Sequence, residues 1–268
     1  MHGFADPPPA GSGGSLPSAG PLIRVEGVSL SYGTLPAVRD IHLTVDRGNI
    51  FGLIGSDGAG KSSLLRMIAA MIRPGAGSIL LGGLDTRSER RGVKRLIGYM
   101  PQRFGLYQDL TVGENMDFFL DVFGISGPER QKRKDRFLRF SNLDPFIDRL
   151  AANLSGGMKQ KLGLACVLVH QPEILVLDEP TNGVDPVSRQ EFWEILFQMK
   201  REGMTILVST AYLDEGEKCD VLALMNRGEF LAVGTPGDIR GSFPNLEEAM
   251  IDRIEKTDRE LAHDRFQY

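Results

Sequence analysis

The chain has 268 residues, 41% of them hydrophobic and 25% charged, and a chain of this size can bury a substantial core without disulfide or metal staples. Its 35 acidic and 31 basic residues leave a net charge of −4, the wrong sign for a nucleic-acid binder that works by neutralising phosphates. Cys166 and Cys219 are the two cysteines and form no CxxC pair, which argues against a disulfide framework or thiolate zinc site; no apolar stretch approaches the roughly 18 residues of a bilayer span.

Residues 1–21 hold five Pro and five Gly, including Pro7-Pro8-Pro9, and read as a disordered tail too poor in apolar surface to offset the entropy of ordering. The tail lacks the basic start and apolar stretch of a secretory leader. From Leu22 onward strands are expected at Ile23–Leu30 and, by alternation of Ile41, Leu43 and Val45 with polar residues, in an antiparallel partner. Ile50–Ile54 is a short apolar run bounded by glycine and reads as a buried central strand, as do Ile174–Leu177 and Thr205–Val208. Residues 110–170 are charged and helical in period, with a basic run from Arg130 to Arg136 read as a solvated helix face. Phe192, Ile195, Leu196 and Met199 mark a further helix, and Val221–Met225 with Phe230–Val233 a hairpin across Asn226–Glu229. Leu246, Met250, Ile251 and Ile254 fall at helical spacing near the C-terminus. Cys166 is expected to be a buried small hydrophobe and Cys219 a near-surface thiol.

Three motifs carry chemistry. Gly55-Ser56-Asp57-Gly58-Ala59-Gly60-Lys61-Ser62 fits GxxxxGK[ST] and lies between a buried strand and an apolar-periodic segment at Leu64, Leu65 and Ile68. Its backbone N–H groups, with Ser63 at the start of the following helix, form a phosphate cradle; Lys61 reaches the β and γ phosphates, and the Ser62 hydroxyl ligates Mg²⁺. Asp178 and Glu179 close the strand Ile174–Leu177, where a carboxylate can hold the metal and its neighbour can activate an attacking water. Leu154-Ser155-Gly156-Gly157 precedes a helix; Ser155 is placed to cap it, and Gly156 and Gly157 leave its first N–H groups open to an anion.

Phosphate loop, LSGG loop and acidic strand, in this order, resemble the nucleotide-binding domain of ATP-binding cassette (ABC) transporters, from about Leu22 to Ile239. The resemblance implies an α/β fold: a P-loop NTPase core with a mixed sheet, an antiparallel β subdomain and an inserted α-helical subdomain. It implies a cassette over residues 22–240, with the helical part at about 103–168, and a helical tail at 241–268. It implies ATP and Mg²⁺ as ligands, with Tyr32 stacking on adenine, Gln102 touching the metal and Glu179 acting on water. Met158 stands where glutamine is commoner, and Val184 in Gly183-Val184-Asp185-Pro186 where leucine is usual. In the segment Val208-Ser209-Thr210-Ala211, Ala211 occupies the place of the family histidine, which contacts the γ-phosphate and holds the water and Glu179 in register.

The family stacks two cassettes head to tail, so that each ATP lies between one phosphate loop and the other's LSGG loop. The resemblance therefore implies a partner cassette, a different chain being expected because Ala211 weakens this chain's own site, with a homodimer as the alternative. It also implies integral membrane subunits and a location on the cytoplasmic face of the membrane, held there by those subunits, with no nucleic-acid partner. Phe104-Gly105-Leu106-Tyr107, Leu110-Thr111-Val112 and Glu114-Asn115 resemble ABC-2-type exporters, including drug and multidrug efflux systems. The competing readings are a soluble translation, repair or assembly ATPase, and an ATP-binding regulatory subunit with little hydrolysis.

Overall fold

The computed structural model describes residues 20–265; the expected tail up to residue 19 lies outside the described residues. Strands β1 (Ile23–Tyr32) and β2 (Leu35–Val45) pair antiparallel, with Val25 opposite Leu43 and Ile23 opposite Val45. Ile41, Leu43 and Val45 turn inward while His42 and Thr44 face solvent, the alternation of a sheet wet on one side. Strand β3 (Ile50–Ile54) is buried at every position and leads through the glycine-rich loop into α1 (Lys61–Ile68). Next come β4 (Ala76–Leu81), β5 (Leu84–Asp85), α2 (Arg90–Leu96) and β6 (Ile97–Met100). Helices α3 (Val112–Val122), α4 (Gly127–Phe140) and α5 (Gly156–Leu168) follow.

The chain continues through β7 (Ile174–Asp178), α6 (Pro186–Arg201), β8 (Thr205–Thr210), α7 (Leu213–Gly216), β9 (Val221–Asn226), β10 (Glu229–Gly234), α8 (Pro236–Arg240) and α9 (Leu246–Arg265). Two sheets result: an antiparallel one in the order β2-β1-β4-β5, and one in the order β10-β9-β3-β8-β7-β6. The second is parallel from β9 to β6, and only the β9–β10 hairpin runs antiparallel. This is the mixed α/β, P-loop NTPase-like fold expected from the sequence. The hairpin turn also joins the two sheets to the loop after β3: the Gly228 N–H donates to the Ala59 carbonyl at 2.8 Å, and the Arg39 N–H donates to the Gly228 carbonyl at 2.8 Å.

Two expectations need correction. The basic run is not a free solvated face. Arg130 and Lys134 clamp α4 to Asp117 of α3 at 3.1 and 2.5 Å, Arg130 also pairs with Asp121, and Arg136 pairs with Glu202. Arg133 donates to the Val169 carbonyl at 3.0 Å, and the Lys134 side chain is only 13% exposed. Acidic partners 13 to 17 residues away in sequence meet these charges only because α3 and α4 pack side by side. Cys219 is the second correction: it is buried against Gly52 and directs its thiol to the Glu215 carbonyl at 3.6 Å. Near the C-terminus, Leu246 and Met250 are buried and Ile254 packs on the core, whereas Ile251 is 50% exposed.

Burial pushes the Cys219 thiol up to about 12 and raises that of Cys166 further. Both are therefore protonated at neutral pH and shielded. A thiol-titrating disulfide reagent at pH 8 is expected to modify neither in the folded protein and both after denaturation; release of one equivalent from the native protein would contradict the packing of Cys219.

Candidate functional site

Parallel pairing brings four strand ends to one edge. Ile54 lies opposite Thr210, Asp178 opposite Ser209, and Met100 opposite Leu177. The residues just beyond, Gly55, Glu179, Gln102 and Ala211, therefore emerge side by side, where open α/β sheets form their ligand crevice. The Gly55 N–H donates to the Thr210 carbonyl at 3.3 Å and the Glu179 N–H to the Ser209 carbonyl at 3.1 Å, which tie the two loops to β8.

The loop after β3 turns back over the first turn of α1. Gly60 adopts φ +107°, and a Cβ there would fall 2.3 Å from the Ala37 carbonyl oxygen, so only glycine lets β2 approach this closely. Gly60 is the N-cap of α1 and supplies no capping side chain, leaving the helix N–H groups turned toward whatever the loop encloses. Lys61, 3% exposed, donates to the carbonyls of Gly55 at 2.8 Å and Ser56 at 3.1 Å. Its ammonium also pairs with Glu179 Oε1 at 3.0 Å.

Asp178 is fully buried. Its Oδ1 accepts from the hydroxyls of Ser62 at 2.8 Å and Ser209 at 2.9 Å, while its Oδ2 has no hydrogen-bond partner. An orphaned buried carboxylate oxygen is costly, and beside a serine hydroxyl it offers the hard oxygen ligation that Mg²⁺ prefers. Glu179 Oε2 accepts from Gln102 Nε2 at 2.9 Å and Asn182 Nδ2 at 3.2 Å. A cavity of about 350 Å³ is lined by Ala37, Asp57, Gly58, Ala59, Gly60, Lys61, Ser62, Ser63, Gln102 and Glu179. Tyr32, 52% exposed, lies at its margin with its hydroxyl 3.4 Å from Ser63 Oγ. A larger open cleft of about 650 Å³ between α4 and α6 is lined by Arg136, Arg139, Glu191, Glu194 and their neighbours and contains none of these groups.

The LSGG loop lies elsewhere. Ser155 caps α5, its Oγ accepting from the Met158 N–H at 3.2 Å, and Ser155 and Gly156 are exposed. Gly157 carries a packing constraint as well. It is buried, and a Cβ there would lie 2.4 Å from Ser188 of α6, so the glycine is needed for helix packing. None of Ser155, Gly156 or Gly157 lines the cavity around Lys61. Nor do Ala211 or Tyr212; Ala211 is exposed, and the Tyr212 ring lies 4.8 Å beneath the Arg189 guanidinium. His170, in the turn after α5, stacks on Phe123 at 4.0 Å and bonds the Ile97 carbonyl, away from the site, with its pKa lowered by burial. Sequence reasoning missed Asn182 and Ser209, which bond Glu179 and Asp178. Asn182 lies three residues beyond Glu179 in the same turn, whereas the Ser209 contact follows only from the β7–β8 register.

A family model described as ABC transporter matches residues 38–182. The chain belongs to the ABC transporter family. The probable multidrug ABC transporter ATP-binding protein YbhF of Escherichia coli (strain K12) is 49% identical over 201 residues, 75% of this chain and 35% of that protein. This chain thus spans about a third of that relative's length. The Nod factor export ATP-binding protein I of Ralstonia nicotianae (strain ATCC BAA-1114 / GMI1000) is 36% identical over 237 residues, 88% of this chain and 72% of that one. Among solved structures, one described as an ATP binding subunit of an ABC transporter superposes with a TM-score of 0.78 at 31% identity, covering 87% of this chain and 99% of its own.

Gly60→Ala places a Cβ against the Ala37 backbone in a left-handed conformation that costs roughly 1–3 kcal/mol before the clash is counted. Thermal or urea unfolding is expected to show at least that loss; unchanged stability would mean that the loop and β2 are not in contact.

Proposed function

We propose that this ABC family chain is the ATP-binding subunit of an exporter, and that it binds and hydrolyses ATP in the cavity between the glycine-rich loop and Glu179. The observation that carries the reading is the convergence of Lys61, Ser62, Glu179 and Gln102 on one cavity, with Asp178 buried behind Ser62, bonded to its hydroxyl and carrying an unpartnered oxygen. The free backbone N–H groups of the glycine-rich loop and the N-terminus of α1 cradle the phosphates. Lys61, now paired with Glu179, turns to the β and γ phosphates. Tyr32 stacks on the adenine at the cavity margin. Ser62, Asp178 and Gln102 are the residues that would hold Mg²⁺, which when bound neutralises the charge on the β and γ oxygens. Glu179, released from Lys61, accepts a proton from the attacking water.

Ser155, Gly156 and Gly157 serve a second cassette. Their exposed end of α5, apart from this chain's own cavity, supports head-to-tail pairing in which they complete the partner's site. The helical segment of about 103–168 carries the motion of Gln102 to integral membrane subunits, which hold the cassette at the cytoplasmic face. Among the described residues no helix is long and apolar enough to cross a membrane. The similarity to a probable multidrug transporter ATP-binding protein and a Nod factor export ATP-binding protein supports export.

Ala211 places no donor at the γ-phosphate. Absence of one preorganised donor lowers turnover by about 10²–10³-fold. This favours slow hydrolysis at this chain's own site and pairing with a different, histidine-bearing cassette.

Phosphate release from ATP by the purified protein is expected to be slow and abolished by chelating Mg²⁺. Ala211→His, at an exposed position with room for an imidazole, is expected to raise kcat by at least about tenfold. Equal turnover of wild type and variant would refute the degenerate-site reading. Failure of the wild type to bind ATP would refute the function itself.

A further inference from the structure

Glu179 has φ +49°. A non-glycine residue keeps such a conformation only where its surroundings over-determine it, and such residues cluster at functional sites. Two constraints act on Glu179 directly. Its N–H donates to the carbonyl and Oγ of Ser209, and Asn182 returns both its backbone N–H and its side-chain amide to Glu179. A third comes from a different segment: Thr181, in the same turn, donates its hydroxyl to Glu215 Oε1 at 2.8 Å.

Glu215 is a buried carboxylate with an incomplete set of partners. It is 0% exposed, and its Oε2 has no hydrogen-bond partner. The cation facing it is Arg189, whose Nε lies 4.0 Å from Oε1. Replacing such a group by an apolar one of similar size is often neutral or stabilising, so packing alone gives no reason for it. Arg189 also pairs with Asp214 at 3.4 Å and lies over Tyr212. The Tyr212 N–H in turn donates to Thr210 Oγ1 at 3.0 Å. The segment carrying Ala211 is thereby fixed on both sides of residue 211, and the same contacts reach Glu179 through Thr181.

We propose that Glu215 is a positioning residue for hydrolysis: through Thr181 it holds the turn 179–182 so that the Glu179 carboxylate stays aimed into the cavity. Of the two jobs that the family histidine performs, the register of Glu179 is here retained by Glu215 and Thr181, and only the γ-phosphate donor is absent. This inference rests on the reading of Glu179 as the residue that activates water.

The test compares wild type with Thr181→Val, Thr181→Ser and the double variant Thr181→Val with Glu215→Leu. Valine keeps the shape of threonine but strands the Glu215 oxygen, serine keeps the hydroxyl, and the double variant removes both polar partners together, which restores stability. Thr181→Val and the double variant are expected to lose kcat, on the order of 10²-fold for a displacement of about 1 Å, with KM for ATP unchanged. Thr181→Ser retains kcat. Wild-type kcat in Thr181→Val, or recovery of kcat together with stability in the double variant, would overturn the proposal. Hydrogen exchange of the nucleotide-free proteins gives a readout independent of turnover. The amides of Glu179, Thr181 and Asn182 are expected to exchange roughly fivefold faster in Thr181→Val and in the double variant, but not in Thr181→Ser. Unchanged exchange overturns the inference. Absence of phosphate release from wild type speaks against the proposed function alone, and exchange then decides the role of Glu215.

Discussion

The parallel register of β6, β7, β8 and β3 is the constraint on which the rest depends. Those strands are separated in the chain by helices and loops of very different length, yet their carboxyl ends finish level, with Met100, Asp178, Thr210 and Ile54 as their last residues. A slip of one residue in β7 would turn Asp178 away from Ser62 and Glu179 away from Lys61, because successive side chains leave a strand on opposite faces. Burial on both faces forbids that slip. Every residue of β3, β7 and β8 is buried, so a slipped strand would carry Asp178 away from the Ser62 and Ser209 hydroxyls with no water to replace them.

Within that frame the charges compensate each other. Lys61 and Glu179 are almost fully enclosed, and leaving either polar group without a partner in such a place is costly. Their 3.0 Å pair, with Gln102 and Asn182 on the second carboxylate oxygen, connects the glycine-rich loop, the end of β6 and the turn after β7. In the function proposed above, an entering phosphate competes with Glu179 for the same ammonium and frees the carboxylate, so that ligand binding and the readiness of the carboxylate are one electrostatic event.

Much of this was legible before any coordinates. Gly55–Ser62, Asp178-Glu179 and Leu154–Gly157 are local motifs, each needing only a strand or helix beside it, and hydrophobic runs supply those elements directly. β4, β5 and β6 left little signal: they are two to six residues long and include glycine and half-exposed positions, so that neither alternation nor a continuous apolar run stands out. The basic run of α4 was misread for a related reason. Glu129 of the same helix pairs with Lys132 and Arg133, but the partners of Arg130, Lys134 and Arg136 are Asp117 and Asp121 on another helix and Glu202 beyond α6, which a pattern confined to one helix does not contain.

Composition first marked this as a chain of modest negative charge without an apolar stretch fit to span a bilayer, and motif order then determined its fold family and singled out Lys61, Ser62, Gln102 and Glu179, which line one cavity. It also determined that Ala211 has no side chain to offer a phosphate. Tertiary structure alone decided the rest. It assigned Gly157 to packing against Ser188, buried Cys219, and joined Thr181 to a carboxylate 34 residues away. The division is physical. A phosphate cradle is built by consecutive residues and is written in their order, whereas the aim of a buried side chain depends on partners that only packing brings within 3 Å.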